Sequence, residues 1–442
     1  MSKKARDFLF FAFVAIFIIM TILISLYASG YKFNLSWPLK FNRLLQKTGM
    51  LNVSTTPKNA TIYLDGKQQR KSVLNIFKKD LITTPAKIKN ILPGEYILRL
   101  ERENYWPFER KIKIDSGQTT FAEDINLFLS DLPLLIKQDA TGSPLLNDNG
   151  RYIYISSEGK IINLKDNSES PLQTKKNANG HWLKNSNKFF VDGKILDIEK
   201  NTAIDLTILI GNTNATWQYS NFDNLIYYSD QKSINRLASD NRTISTLIKG
   251  EEYLTFEPRN EILFAVVQSG NQIALKSYFA NSGEKSGQID LPPVGDYVFK
   301  QENTRYVCLY DQKNFTLYLI NPADMNDYSV VRGIKSWSWI NNEEIIYNND
   351  WEINIFNIQN GRSTLITRVS ENIKNVLWHK DGGYYIFSTD NKINAADMQT
   401  GTVTTILNSE NIATPILDEN NNLLYFYAKI GQRSGIYKML LQ

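Results

Sequence analysis

An apolar, aromatic-rich run recurs eight times after residue 140: "YIYIS" at 152, "FFVDG" at 189, "LIYYS" at 225, "ILFAVV" at 262, "YVCLY" at 306, "IIYNND" at 345, "YYIFS" at 384 and "LLYFYA" at 423. Their starts lie 37, 36, 37, 44, 39, 39 and 39 residues apart. Self-similarity at such a period means one small unit repeated, and no single unit can bury its own faces. Each run is followed, across a polar turn, by an alternating segment such as "KIINL", "SINRL", "EINIF" or "GIYKM". Most are preceded by a strand carrying Trp or Tyr, among them "HWLK", "TWQYS", "YLTFE", "SWSWI" and "VLWHK". In seven units a fourth segment follows, for example "AIDLTI", "ISTLI", "STLIT" and "VTTIL". Four short strands in about forty residues make a β-propeller blade. The expected fold class is therefore all-β, with about eight four-stranded blades in residues 131–442.

Closure is the physical problem of such a ring, because an unpaired final blade exposes strand edges. The eighth unit stops after three strands. "DLPLLIK" (131–137) is apolar and lies just before the first unit. It is expected to pair with "GIYKML" and complete the last blade. The units resemble the TolB-like bacterial propellers, best in "VLWHKDGGYYIFS" with Asp381-Gly382 turning between strands. The Gly-His and Trp-Asp signatures of WD repeats do not recur from unit to unit.

Upstream, residues 49–130 read as a smaller β module. "LNVST" alternates up to Pro57, and "ATIYLDG" ends in an Asp-Gly turn. "EYILRLERENYW" and "ERKIKIDSG" follow as strands, so a small sandwich is expected. The order Pro57, Ala60, Tyr63-Leu64-Asp65-Gly66, Thr84-Pro85, Leu92-Pro93-Gly94-Glu95-Tyr96 and Asn104-Tyr105 closely resembles the PEGA domain, a module of bacterial and archaeal surface proteins. Pro85 presets φ before a strand, and Pro93-Gly94 suits a type II turn.

That resemblance is interrupted by "KQQRKSVLNIFKKDLIT" (67–83), in which Lys67, Arg70, Lys71, Lys78 and Lys79 flank an apolar core. It reads either as a loop touching anionic lipid or cell-wall polymer, or as a solvated insertion with Val73, Leu74, Ile76 and Phe77 tucked onto the sandwich. The second reading is favoured because loops tolerate insertions.

Residues 8–27 contain no charge, and twenty helical residues span a bilayer core of about 30 Å. Lys3, Lys4 and Arg6 favour keeping residues 1–7 in the cytoplasm, with 28–48 as a linker and the bulk outside. The run exceeds the 7–15 residues of a signal-peptide core, so an uncleaved single-pass anchor in the lipid bilayer is expected, despite the small residues "ASG" at 28–30.

The 442 residues carry a net charge of only +5, with Lys and Arg scattered among Asp and Glu. That pattern leaves no nucleic-acid footprint. Nor is there a phosphate loop, dinucleotide fingerprint, nucleophile elbow or zinc helix. Cys308 sits in an apolar run and reads as a buried small hydrophobe. His181 and His379 both adjoin Trp in first strands, at positions that look equivalent, without the ligand cluster a metal needs. Trp182, Trp217, Trp337, Trp339 and Trp378 are expected mostly between blades.

No catalytic residue, metal site or cofactor is expected. The chain reads as a membrane-anchored scaffold of the cell envelope whose propeller face binds a protein or a cell-wall polymer. The alternative is a hydrolase or lyase acting on envelope glycans or peptides from the propeller channel.

Overall fold

A computed structural model of the chain describes residues 3–33, 45–70, 81–142, 144–211, 215–238, 243–300, 302, 304–380 and 382–442. The chain divides into two compact units, residues 1–131 (joined by Gln442) and 132–441.

The first unit opens with a helix, Lys3–Ala28, whose apolar side chains from Phe8 to Tyr27 are largely exposed. It is the one helix among the described residues long and apolar enough to cross a membrane. Gly30 ends it at φ 82°, a conformation Gly adopts without a Cβ clash. The sandwich behind it has a three-stranded sheet, in which Gly49–Thr56 pairs antiparallel with Ala86–Ile91 and parallel with Thr119–Asn126. The facing sheet runs Lys67–Gln68, Thr61–Leu64, Gly94–Glu101, Phe108–Ile114. Alternation buries Leu51 and Val53 from one sheet against Ile62, Leu98, Leu100 and Ile112 from the other.

Asp65 and Gly66 both take positive φ, as the two-residue Asp-Gly turn requires. The turn before "EYILRL" differs from the sequence expectation. Gly94 does not enter the left-handed region; Asn90 does, at φ 60°, and Gly94 begins a strand opposite Ile114. The corner is held instead by the Tyr96 hydroxyl, which donates to the Leu92 carbonyl at 2.7 Å. Thr84 is a buried polar hub: its hydroxyl meets Thr55 Oγ1 at 2.5 Å and accepts from the Ala60 amide at 3.0 Å. Of the insertion, Lys71, Val73, Leu74, Ile76, Phe77, Lys78 and Lys79 lie outside the described residues, as does Asp381 of the propeller turn.

The second unit is a propeller of eight blades. Blades two to seven each hold four antiparallel strands in chain order, from Gly180–Trp182 in blade two to Val403–Asn408 in blade seven. The second strands, such as Tyr152–Ile155 and Val307–Asp311, are buried on both faces. This is why they read as unbroken apolar runs rather than alternating ones. The core is accordingly a ring of clusters between blades. One joins Phe264 and Leu275 of blade four to Val307 and Tyr318 of blade five. Another joins Tyr425 and Ile436 of blade eight to Ile153 and Ile162 of blade one.

Blade eight is completed as expected. Leu134–Gln138 pairs antiparallel with Arg433–Leu440, with Leu134 opposite Lys438 and Gln138 opposite Gly435. Two details depart from the repeat reading. Blade one has three strands, Pro144–Leu146, Tyr152–Ile155 and Lys160–Asn163, and only a single bridge, Ile162 to Glu169, where a fourth would run. Pro171 brings no amide donor there, and Glu169 is held by Lys137 of the closing strand at 2.6 Å and Lys160 at 2.8 Å. These lysines, Lys137 first, pull the Glu169 carboxyl down to about 2. In blade two the segment "AIDLTI" is strand only over Thr202–Asp205, and Thr207–Ile210 turns into a short helix.

Three outcomes are expected from these contacts. A Cβ at Gly435 would lie 2.2 Å from the Lys137 carbonyl oxygen, so Gly435→Ala forces the closing strand away. It should cost about 1–3 kcal/mol in chemical denaturation, as overpacking does. Deleting Leu134–Gln138 should cost more than deleting as many residues from the polar stretch 174–180. Equal midpoints for the two deletions would mean that the ring does not depend on this strand. In the sandwich, Tyr96→Phe should cost about 1 kcal/mol, the net worth of one hydrogen bond, with the fold retained by circular dichroism.

Candidate binding face

Antiparallel blades place the first-to-second and third-to-fourth turns on one face of the ring, and the other connections on the opposite face. The first of these faces is stitched from blade to blade. Asn147 donates to Asn187 at 3.1 Å across blades one and two, and the Ser220 hydroxyl to the Pro258 carbonyl at 3.3 Å across three and four. Arg259 donates to the carbonyls of Thr304 (3.1 Å) and Tyr306 (2.6 Å), joining blades four and five. The Trp339 indole of blade six donates to Glu302 of blade five. His379 Nε2 lies 2.7 Å from Asn422 Oδ1, joining blades seven and eight, and its Nδ1 accepts from the Gly382 amide at 3.0 Å.

The residues singled out in the sequence are used in this stitching or in the packing beneath it. Trp182 stacks on Tyr152 of blade one and donates to the Leu145 carbonyl at 2.9 Å. Trp217 meets Phe190 of blade two edge-on, and Trp337 meets Tyr310 of blade five in the same way. Trp339 stacks on Tyr306, and Trp378 is buried against Ile346 and Ile353 of blade six. The two histidines are not equivalent. In register with the neighbouring strand, Trp182 faces Phe189 and Trp378 faces Tyr385, so His181 precedes its Trp while His379 follows. Two residues of offset leave His181 exposed and His379 buried. Cys308 is buried, and burial pushes its thiol well above the usual range, away from nucleophilic use. Among the described residues no three His, Cys, Asp or Glu side chains group as a metal site would require.

Beneath the stitched face lies a buried polar cluster that the sequence did not announce. Glu257 is fully buried and accepts from Arg259 Nε at 2.6 Å. The guanidinium also sits 4.3 Å from the Phe222 ring centroid. With two carbonyls and an aromatic face around it, Arg259 keeps its charge satisfied without full reliance on Glu257. Burial raises Glu257 to about 7, and burial likewise raises Glu302 to about 7.

The opposite face is open. Phe315, in the second-to-third turn of blade five, is 43% exposed, and Trp351, in the same turn of blade six, is 50% exposed. Both line a cavity of about 670 Å³ with Gly333, Lys335, Asp350, Glu352 and Arg368. The Trp351 turn is pre-shaped: its amide donates to Asn349 Oδ1 at 2.9 Å and its carbonyl accepts from Val369 at 3.0 Å. Lys335 pairs with Asp350 and lies 5.3 Å from the Phe315 ring centroid. Arg368 pairs with Glu352 through Nε at 3.0 Å. Lys335 holds the Asp350 carboxyl below its ordinary range, and Arg368 does the same for Glu352. Both carboxylates are therefore anionic cavity walls rather than proton donors. Sequence reasoning passed over Trp351 and Phe315. The available signal was an aromatic placed inside a polar turn, "YNNDWEI" and "QKNFTL".

The Glu257 and Glu302 carboxyls carry a pH dependence. In the unfolded chain they ionise near 4.5, whereas in the folded chain they keep their protons to about 7. The folded state therefore binds more protons between those values. The stability this confers is fully present below about pH 4.5 and is lost as pH rises through about 7. The denaturation midpoint should fall between about pH 5 and about pH 8, and Glu257→Gln together with Glu302→Gln should flatten that slope. An unchanged slope in the double variant would show that other groups set it.

Residues 48–125 match the PEGA domain model. No curated protein matches the sequence. Among solved structures, the chain is similar to the Dos1 propeller, at 12% identity and a TM-score of 0.48, covering 69% of this chain and 94% of that one. It is also similar to BamB from Moraxella catarrhalis, at 12% identity and a TM-score of 0.43, covering 70% and 98%. The stretch that matches the PEGA domain thus lies in sequence between an apolar N-terminal helix and a β-propeller.

Proposed function

We propose that this protein is a membrane-anchored, extracytoplasmic scaffold of the cell envelope, and that the Phe315–Trp351 face of its propeller binds a protein partner or a cell-wall polymer. The observation that carries this reading is the half-exposed aromatic pair over a cavity of about 670 Å³. Trp and Arg dominate binding energy at interfaces, and a preformed cavity lowers the ordering cost.

A hydrolase or lyase reading is not supported by the same geometry. A general acid needs a raised pKa beside the substrate. Here the raised carboxyls, buried Glu257 and half-buried Glu302, lie in the cluster under the stitched face, while Asp350 and Glu352 in the cavity are held anionic by their cations. The long apolar helix supports anchoring, and the large folded units that follow it support export of the bulk.

A photo-crosslinking residue at position 351, in the full chain in cells, should capture one defined partner or polymer. The same residue at Leu365, exposed on the outer strand of blade six, should not. Trp351→Ala should weaken the captured interaction by about 2 kcal/mol, roughly thirtyfold, with unchanged thermal unfolding. Equal capture at both positions, or full affinity in Trp351→Ala, would overturn this face. Protease added to spheroplasts should digest both folded units, and complete protection would overturn the orientation.

A further inference from the structure

We propose that the PEGA domain carries a headgroup site for an anionic phospholipid, at the foot of the apolar helix. The inference rests on reading that helix as an uncleaved anchor. Its 24 residues from Ala5 to Ala28 span about 36 Å at 1.5 Å per residue, enough for a hydrocarbon core of about 30 Å. The end of the helix is fixed to the domain. The Thr48 amide and hydroxyl both donate to the Gly30 carbonyl at 2.7 Å, and Tyr31–Phe33 pairs with Leu45–Lys47. The residues around this junction therefore lie at headgroup depth.

A cavity of about 720 Å³ opens there, lined by Tyr27 and by Lys32, Lys67, Arg70, Lys87 and Lys89. All five cations are exposed, and none of them pairs with a carboxylate among the described residues. Lys87 and Lys89 stand two apart on the strand Ala86–Ile91, on the side away from buried Ile88. The one carboxylate in the lining, Asp65, accepts from the Ile97 amide at 2.8 Å. Five cations facing one engaged carboxylate form an anion site. Beside it runs an apolar groove of about 320 Å³ lined by Leu23, Leu26, Tyr31 and Leu45, and Tyr27 and Lys32 line both spaces. A free phosphate would use only the basic cavity. A phospholipid uses both, phosphate among the lysines and the start of an acyl chain in the groove, so the paired spaces favour lipid.

The test is native mass spectrometry of the full chain released from detergent, titrated with phosphatidylglycerol, phosphatidylcholine or inorganic phosphate. Phosphatidylglycerol should be retained at least tenfold better than phosphatidylcholine, and retention should fall as salt is raised. Replacing Lys67, Arg70, Lys87 and Lys89 with Gln should lower the apparent affinity by about fivefold per charge removed. The exposed positions of all four make folding of the variant expected, and an unchanged melting temperature checks it. Should the variant not fold, the wild-type comparison of the two lipids and its salt dependence still decide. Equal retention of both lipids by the intact chain would overturn the site, and so would wild-type affinity in the folded variant. Full displacement of the lipid by inorganic phosphate would reduce it to a phosphate site. A chain mass beginning at Tyr31 would instead overturn the anchor, and the headgroup placement with it.

Discussion

The antiparallel pairing of Leu134–Gln138 with Arg433–Leu440 is the contact on which the propeller depends. Residues about three hundred positions apart in sequence share one sheet, so the last blade is finished by the segment that precedes the first. Without it, Arg433–Leu440 would present a row of unpaired amides and carbonyls. The same strand sends Lys137 to Glu169 of blade one, so the closure is tied both to its own blade and to the next. Gly435 lets the two backbones approach where any Cβ would strike the Lys137 carbonyl.

Closure of this kind lets the two faces diverge. One face spends its side chains on holding adjacent blades: Arg259 on the Thr304 and Tyr306 carbonyls, Trp339 on Glu302, His379 on Asn422. Those contacts are costly to disturb, because each leaves a buried polar group behind. The other face also holds its blades together, the Val376 amide of blade seven donating to Ser336 Oγ of blade six at 2.8 Å, yet it keeps Phe315 and Trp351 half exposed. A rigid ring with exposed aromatics on one face suits a binding platform, since those aromatics are held in place before a partner arrives.

The first unit follows a related logic at smaller scale. Its core is the alternating face of two sheets, with Thr84 and Tyr96 fastening the corners by hydrogen bonds rather than by turn conformation. Its outer surface near Gly30 gathers five cations where the helix ends. Strand alternation produces that gathering directly, because burying Ile88 turns Lys87 and Lys89 outward together.

Periodicity by itself determined the repeated strands, the all-β class and the eight-blade reading, because strands between neighbouring blades must be apolar on both faces. The closing strand was legible too, since a missing fourth strand and an apolar run upstream have one economical pairing. What sequence could not decide depends on register and on distance through space. Where blade one lacks a fourth strand, Glu169 is held by Lys137 and Lys160, and Lys137 is 32 positions away. The unlike fates of His181 and His379 follow from a two-residue offset that only strand pairing exposes. Glu257 and Glu302 sit on different blades, and only the packed ring buries the first and half-buries the second. Likewise Trp351 is set apart in the sequence from the five structural tryptophans by its polar turn, but not by its exposure. It differs from them in exposure because its turn, unlike their strands, has no neighbouring blade to cover it.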